Sequence, residues 1–300
     1  MNEQLEQRIR AIASALDGTL GVYVHAMKIS DRVEVNADQL FPMASVFKIP
    51  ILAELLCQAH SGRISLEERV PLNEEMKSPG SGVLKELSAG TALTVGDLAT
   101  LMIIVSDNTA TDMLLARVTK DAVNARLRAC GLERTRVAMD CRELLYDLVG
   151  LSDRPDGPET RRLAVERLRR QEVDANSRVY LDERVNMTTP REMGRLLEQI
   201  VRTAREPAAA LGSLPAEVCQ RMLAIMARQQ VRNRLPLLFP PAVDLAHKTG
   251  SLSRVSNDAG VLETPQGPCV ISVFGKNLSD ALAGQMAIAR VGRAVYEAYA

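Results

Sequence analysis

A serine followed three residues later by a lysine, Ser45-Val46-Phe47-Lys48, stands just ahead of an apolar run, Ile49 to Cys57, that reads as a buried helix. Positions i and i+3 share a helix face, so the spacing predicts the Lys48 amine beside the Ser45 hydroxyl. A serine hydroxyl is a poor nucleophile at neutral pH until a base lies within hydrogen-bond reach. A lysine packed among apolar groups gives up part of its proton affinity and can join that proton transfer. Ser45 at a helix start would also meet unpaired backbone N–H groups, which favour developing negative charge. The same four residues fit an N-cap serine with a snorkelling lysine, so the chemistry depends on what else the chain supplies.

Two further stretches supply it. Ser106-Asp107-Asn108 follows the apolar helix Leu98–Val105, and Lys248-Thr249-Gly250 follows the alternating segment Val243–His247. Taken singly, the first is a polar turn between helices and the second an exposed strand end. Ser-x-x-Lys, Ser-Asp-Asn and Lys-Thr-Gly in this order are the motif set of class A β-lactamases and penicillin-binding proteins. The flanks agree: Ser-Asp-Asn-Thr-Ala-Thr at 106–111, Thr-Thr-Pro-Arg-Glu-Met at 188–193 and Ala-His-Lys-Thr-Gly-Ser at 246–251. The chain resembles this serine β-lactamase and transpeptidase-like family over nearly its whole length.

The resemblance implies roles. Ser45 is the acylating nucleophile, with Lys48 its proton partner directly or through water. Ser106 relays a proton toward the leaving nitrogen, since a hydroxyl both donates and accepts. Asn108 orients Lys48 and binds a substrate amide. Lys248 is a fixed positive charge near the substrate carboxylate, Thr249 offers that carboxylate a hydroxyl, and Gly250 lets the strand approach the substrate closely. The backbone N–H groups of Ser45 and Ser251 form the oxyanion hole. Many relatives carry a carboxylate-binding arginine on the next strand, where this chain has Asn257-Asp258. Others supply it from the segment before the Lys-Thr-Gly strand, and there Arg234 matches, with Arg232 as second candidate. The alternative for either is an ordinary surface arginine.

One departure concerns deacylation. Hydrolytic class A enzymes carry a glutamate in a Glu-x-x-Leu-Asn pattern, where it activates the water that clears the acyl-enzyme. The matching stretch here is Thr135-Arg-Val-Ala-Met-Asp-Cys-Arg-Glu-Leu-Leu145, which puts Cys141 in the glutamate's place. Asp140 and Glu143 flank it, and Asp140 is the candidate substitute base, one methylene shorter than glutamate. Glu166 lies in an arginine-rich run and reads as an exposed helical residue.

The expected function is therefore that of a β-lactamase-like serine hydrolase that opens a β-lactam through a Ser45 acyl-enzyme, with deacylation slowed. An esterase or D-amino-acid peptidase on the same scaffold is an alternative. So is a penicillin-binding or sensing protein that is acylated without turnover. No cofactor and no metal is implied. The expected partner is a small-molecule β-lactam or related amide or ester, and the sequence leaves the oligomeric state open.

These residues need elements to hold them. Leu5, Ile9, Ile12 and Leu16 repeat at helical spacing up to Asp17-Gly18. Thr19–Ile29 and Val33–Val35 read as strands around the turn Ser30-Asp31-Arg32. Thr94-Val-Gly-Asp97 resembles a capping box and Thr189-Pro190 an N-cap with proline at the first helical position. Helices follow over Thr109–Val118, Asp121–Cys130, Glu159–Glu172, Arg191–Arg202 and Ala216–Ala227. Val243–Ser251, Ala259–Glu263 and Cys269–Phe274 read as consecutive strands, and Ala281–Tyr299 as a long closing helix. Lys77–Val83 and Val149–Pro158 are loop-like. The fold class is α/β (α+β): a five-stranded antiparallel sheet flanked by terminal helices, plus an all-helical lobe. Residues 1–42 and 240–300 would form the α/β lobe and 43–239 the helical lobe, with the site at the junction.

Composition narrows the classes. Of 300 residues, 46% are hydrophobic and 25% charged, and 37 Lys+Arg balance 37 Asp+Glu. That balance gives no global pull toward nucleic acid or a membrane surface, and 3% aromatics make a poor base-stacking platform. Five scattered cysteines without a Cys-x-x-Cys read as free buried thiols in a reducing compartment. His25, His60 and His247 are too far apart in sequence to suggest ligand spacing. Five arginines between Glu159 and Glu172 form either a solvated helix face or a basic patch for an acidic partner. Met1–Arg10 shows no apolar signal core and no run suffices for a membrane span, so a cytoplasmic protein is expected. A chain trimmed of its leader would read the same way.

Overall fold

The computed structural model describes residues 2–206 and 213–299. Helix α1 (Glu3–Ser14) starts on Asn2, whose side chain accepts the Leu5 amide, and buries Leu5 and Ile9. Strands β1 (Thr19–Ala26) and β2 (Asp31–Val35) form a hairpin. A two-residue strand, β3 (Phe41–Pro42), leads into a 3-10 turn at Ala44–Phe47 and then into α2 (Lys48–His60). Ser45 thus sits in a 3-10 turn in front of the helix rather than at its first turn.

Strands β4 (Arg69–Pro71) and β5 (Ala92–Thr94) pair with each other and frame the loop that carries Lys77–Val83. Helix α3 (Val95–Ile104) opens on the expected capping box of Thr94 and Asp97. Helices α4 (Asn108–Val118) and α5 (Lys120–Ala129) follow. The stretch read as departing from the family pattern contains a helix that sequence reading missed, α6 (Cys141–Leu148). Helices α7 (Pro158–Arg169) and α8 (Arg178–Leu181) fill the segment after it. Strand β6 (Met187–Thr188) pairs with β3. Helix α9 (Pro190–Arg205) begins on the Thr189 cap and Pro190, and α10 (Ala216–Met226) follows.

The sheet closes with β7 (Leu245–Leu252), β8 (Val255–Thr264) and β9 (Gly267–Lys276), and α11 (Ala281–Tyr299) packs back on it. Strand order is β2-β1-β9-β8-β7, with every neighbour antiparallel. Tyr23, Ser272, Ala259 and Lys248 make one row across four strands. Both faces of the sheet are covered, so β8 and β9 are buried along most of their length instead of alternating. Leu5, Ile9, Ile288 and Val291 cover one face over Val22, Val24, Ile271 and Val273. On the other, Val261, Val270 and Phe274 join the core of α2, α3, α4, α9 and α10. The expected five-stranded antiparallel sheet with flanking terminal helices is the observed one. All five cysteines are free and buried, and among the described residues no helix is long and apolar enough to cross a membrane.

Candidate active site

Edge strand β7, the Ser45 turn, the Ser106 turn and the start of α6 enclose a pocket of about 260 Å³. Ser45, Ser106, Asn108, Cys141, Thr249, Gly250 and Ser251 all line it. Two of its corners are strained. Ala44 has φ +43° and Ser106 φ +57°, values that side-chain-bearing residues adopt at a cost. Gly250 is required by close approach: a Cβ there would stand 2.8 Å from Met43 O and 3.1 Å from Ser45 N. The strand backbone therefore lies directly against the Ser45 turn. Asn257 fixes that turn from β8, donating to Pro42 O at 2.8 Å and Met43 O at 2.9 Å.

Lys48 is fully buried. Its Nζ donates to Ser106 O at 2.8 Å, Ser106 Oγ at 3.1 Å and Asn108 Oδ1 at 2.8 Å. The expected contact with Ser45 is not made: among the described residues the Ser45 hydroxyl has no hydrogen bond, and it opens to the pocket. Helix spacing brings Lys48 to the right side of the turn, but three oxygens, Ser106 O, Ser106 Oγ and Asn108 Oδ1, surround its amine instead of the Ser45 hydroxyl. Burial lowers the Lys48 pKa, with partial opposition from Cys141, Asp112 and Asp107. Lys248, also fully buried, donates to Ser106 Oγ at 3.0 Å and Thr249 O at 2.8 Å. Burial, then the charge of Lys48, holds its pKa well below the usual value. The Ser106 hydroxyl thus lies between two amines of weakened proton affinity, an arrangement suited to moving a proton across the pocket.

Asp107, completely buried, fixes the Ser106 turn. Its Oδ1 caps α4 through the Ala110 amide at 2.9 Å, and its Oδ2 accepts Val83 N at 2.6 Å and Leu84 N at 2.9 Å. Gly82 (φ +106°) lets that rim approach, because a Cβ there would fall 2.3 Å from Asp107 Cγ. Asn108 is engaged on both ends of its amide, accepting from Lys48 and Ser81 and donating to Pro79 O at 2.8 Å. Ser81, on the Lys77–Val83 loop, joins the pocket wall, where the family resemblance puts the matching segment.

Arg234 does not reach the pocket. It is buried behind it, donating to the Ser251 hydroxyl through Nη2, to Ser256 Oγ through Nε at 3.0 Å, and to Asn233 Oδ1. Its hydrogen-bond partner Ser251, on β7, is the one of the two that lines the cavity. Burial lowers the Arg234 pKa, against the pull of Asp258. Arg232 is exposed and bonds Val243 O at 3.4 Å, and Val231 is the residue of this segment that lines the pocket.

Asp140 requires correction as a substitute base. It is the N-cap of α6, accepting the Glu143 amide at 2.8 Å in a capping box. It lines a separate cavity with Lys120 and Asp121 rather than the Ser45 pocket. An N-cap side chain folds back onto its own helix, while the next residue, Cys141, points forward. Cys141 floors the pocket beside Leu144 and Leu145, and burial followed by the Asp112 charge pushes its thiol pKa well up. Among the described residues, no carboxylate lines this pocket. The missed residue is Asp112, one helical turn after Asn108. Its Oδ1 accepts Cys141 N at 2.7 Å, and its Oδ2 accepts Arg142 N at 3.1 Å and Ser78 Oγ at 2.5 Å. Burial, then the Asp140 charge, raises its pKa to about 7.

A model of a family described as the beta-lactamase enzyme family matches residues 4–299. Beta-lactamase CARB-3 of Pseudomonas aeruginosa is 25% identical over 303 residues, covering 99% of this chain and 91% of the relative. Beta-lactamase regulatory protein BlaB of Streptomyces cacaoi is 26% identical over 275 residues, covering 87% and 86%. Among solved structures, a beta-lactamase from Sphaerobacter thermophilus superposes with TM-score 0.78 at 30% identity, covering 99% of this chain and 96% of that one. A leucine-to-glutamate mutant of PBP-A, solved as its acyl-enzyme complex with penicillin G, gives 0.77 at 26% identity with the same coverage.

Proposed function

The chain belongs to the beta-lactamase enzyme family, in the class A serine β-lactamase-like superfamily, and on that premise we propose that it forms a long-lived Ser45 acyl-enzyme with β-lactams. The Ser45 hydroxyl attacks the ring carbonyl and its proton passes to the Lys48 and Ser106 group. The ring C–N bond breaks, Ser106 delivers a proton to the departing nitrogen, and an ester remains on Ser45. Thr249 holds the substrate carboxylate, with the buried Lys248 charge behind it, and the backbone N–H groups of Ser45 and Ser251 receive the oxyanion. Arg234 acts through Ser251, which it orients.

The observation that carries the slow second half is the pocket floor. Hydrolysis of the ester needs a water and a base to activate it. The floor is Cys141, Leu144 and Leu145, with no carboxylate facing Ser45 among the described residues. Acylation is supported by the amines around Ser106; deacylation has no equivalent support.

Intact-protein mass, followed during incubation with a chromogenic cephalosporin beside Ser45→Ala, tests this. A mass increase on the wild type alone, with colour stopping near one equivalent, is the expected result. Continued colour that Ser45→Ala abolishes means a base acts from elsewhere. Wild type and Ser45→Ala alike without adduct or colour would overturn the acylation reading.

A further inference from the structure

Outside the Ser45 pocket the structure holds a larger groove of about 960 Å³, with α7 as one wall and residues 74–79 as the other. This is where the arginine-rich run goes. Ser78 and Pro79 line the groove, and Gly80 and Ser81, next along the chain, line the Ser45 pocket, so one rim serves both.

Most of the groove's charge is matched. Glu74 pairs with Lys77 at 2.8 Å, Asp156 with Arg161 at 3.0 Å, Glu166 with Arg170 at 2.6 Å and Glu86 with Lys85 at 3.5 Å. Arg162 and Arg169 are exposed and form no ion pair among the described residues. Both line the groove, with Val165 between them on the same helical stripe. Glu75 is left on the facing wall as a single unmatched carboxylate. Against Glu75 the net excess is one positive charge, and it is carried by two unpaired guanidinium groups, the side chains best shaped to take carboxylates.

We propose that this groove binds an acidic, extended peptide-like chain, two of whose carboxylates meet Arg162 and Arg169. Seven helical residues separate the two arginine Cα atoms by about 10 Å. In a polyproline II chain, residues i and i+3 point the same way about 9 Å apart, which matches. Val165 faces the apolar residues between them, and Glu75 takes an ammonium group. The shared rim then delivers the end of such a chain to Ser45. That last clause rests on the proposed acylation chemistry; the binding does not.

The test is fluorescence anisotropy with a fluorescein-labelled Glu-Pro-Pro-Glu peptide and a Lys-Pro-Pro-Lys control. The acidic peptide should bind wild type and Ser45→Ala equally, and weaken as salt rises. Arg162→Glu with Arg169→Glu should weaken it at least tenfold while leaving the melting temperature and Ser45 acylation by the chromogenic cephalosporin unchanged. No binding at millimolar peptide, equal binding of the lysine control, or undiminished binding by the double variant would overturn the proposal. Peptide binding without Ser45 acylation would sink the proposed function and leave the groove standing.

Discussion

The Asp112 carboxylate receives the Cys141 amide at 2.7 Å, so the residue that floors the Ser45 pocket is held from behind by a half-buried acid. The same carboxylate reaches Ser78 on the rim and Arg142 on α6. One side chain on α4 therefore sets the spacing between the rim, the floor and the Ser106 turn.

Cys141→Glu supplies the carboxylate that the floor lacks. A positioned general base is worth about 10²–10⁴-fold, and imperfect placement should still give at least about tenfold faster steady-state cephalosporin turnover. A second carboxylate beside Asp112 would share its site and tend to stay protonated. Cys141→Glu with Asp112→Asn should therefore turn over faster than Cys141→Glu alone. Turnover no better than wild type in both variants would count against the floor as the obstacle.

Stability should carry a signature of Asp112. Its folded pKa is raised from 3.8 to about 7, so the folded protein keeps a proton that the unfolded chain has released. Its stabilising contribution is present below the unfolded pKa and lost as pH rises through about 7. Asp112→Asn removes that slope. Urea midpoints from pH 4 to 8 should fall more steeply for wild type than for the variant; parallel curves would refute the assignment.

Asp107→Ala leaves the Val83, Leu84 and Ala110 amides without their acceptor. Each buried unpaired group costs about 1–3 kcal/mol, so a loss of at least about 3 kcal/mol in urea unfolding is expected. Asp107→Asn, which keeps one acceptor oxygen, should recover part of it.

Gly250→Ala places a methyl against the Met43 carbonyl and the Ser45 amide, both backbone atoms that cannot rotate away. Displacing the Ser45 turn by even about 1 Å can cost on the order of 100-fold in rate. Acylation followed by intact mass should slow by at least about tenfold, and an unchanged rate would show that the turn yields freely.

Much of this was legible because the reactive groups sit in three short runs with fixed internal spacing. Ser45, Lys48, Ser106, Asn108 and Lys248 can be named from the sequence; Ser45, Ser106 and Asn108 line one pocket, and Lys48 and Lys248 are buried behind it on the Ser106 hydroxyl. The exact donor and acceptor pairs cannot, because Lys48 chooses between Ser45 and Ser106 only once the turns are packed. Arg234 was found by counting along the chain, but counting does not reveal that it bonds Ser251 and does not line the pocket. Asp140 misled for a local reason: neighbours at a helix start point in opposite directions. The Asp140-x-x-Glu143 pattern is a capping signature that could have warned of this. Asp112 left a fainter signal, its position one turn after Asn108 on the same face.

The sheet order carries a consequence for synthesis. Strand β1 is made before α2 to α10 and its partner β9 only after them, so Tyr23 must wait for Ser272. Contacts between such distant residues slow folding. Until β9 and β8 arrive, β7 has no partner in the sheet, so Lys248 and Gly250 cannot take their places beside Ser106 and Ser45. A chain still short of β8 and β9 therefore carries the Ser45 turn without the strand that completes the pocket, which closes only when the last strands of the sheet have been made.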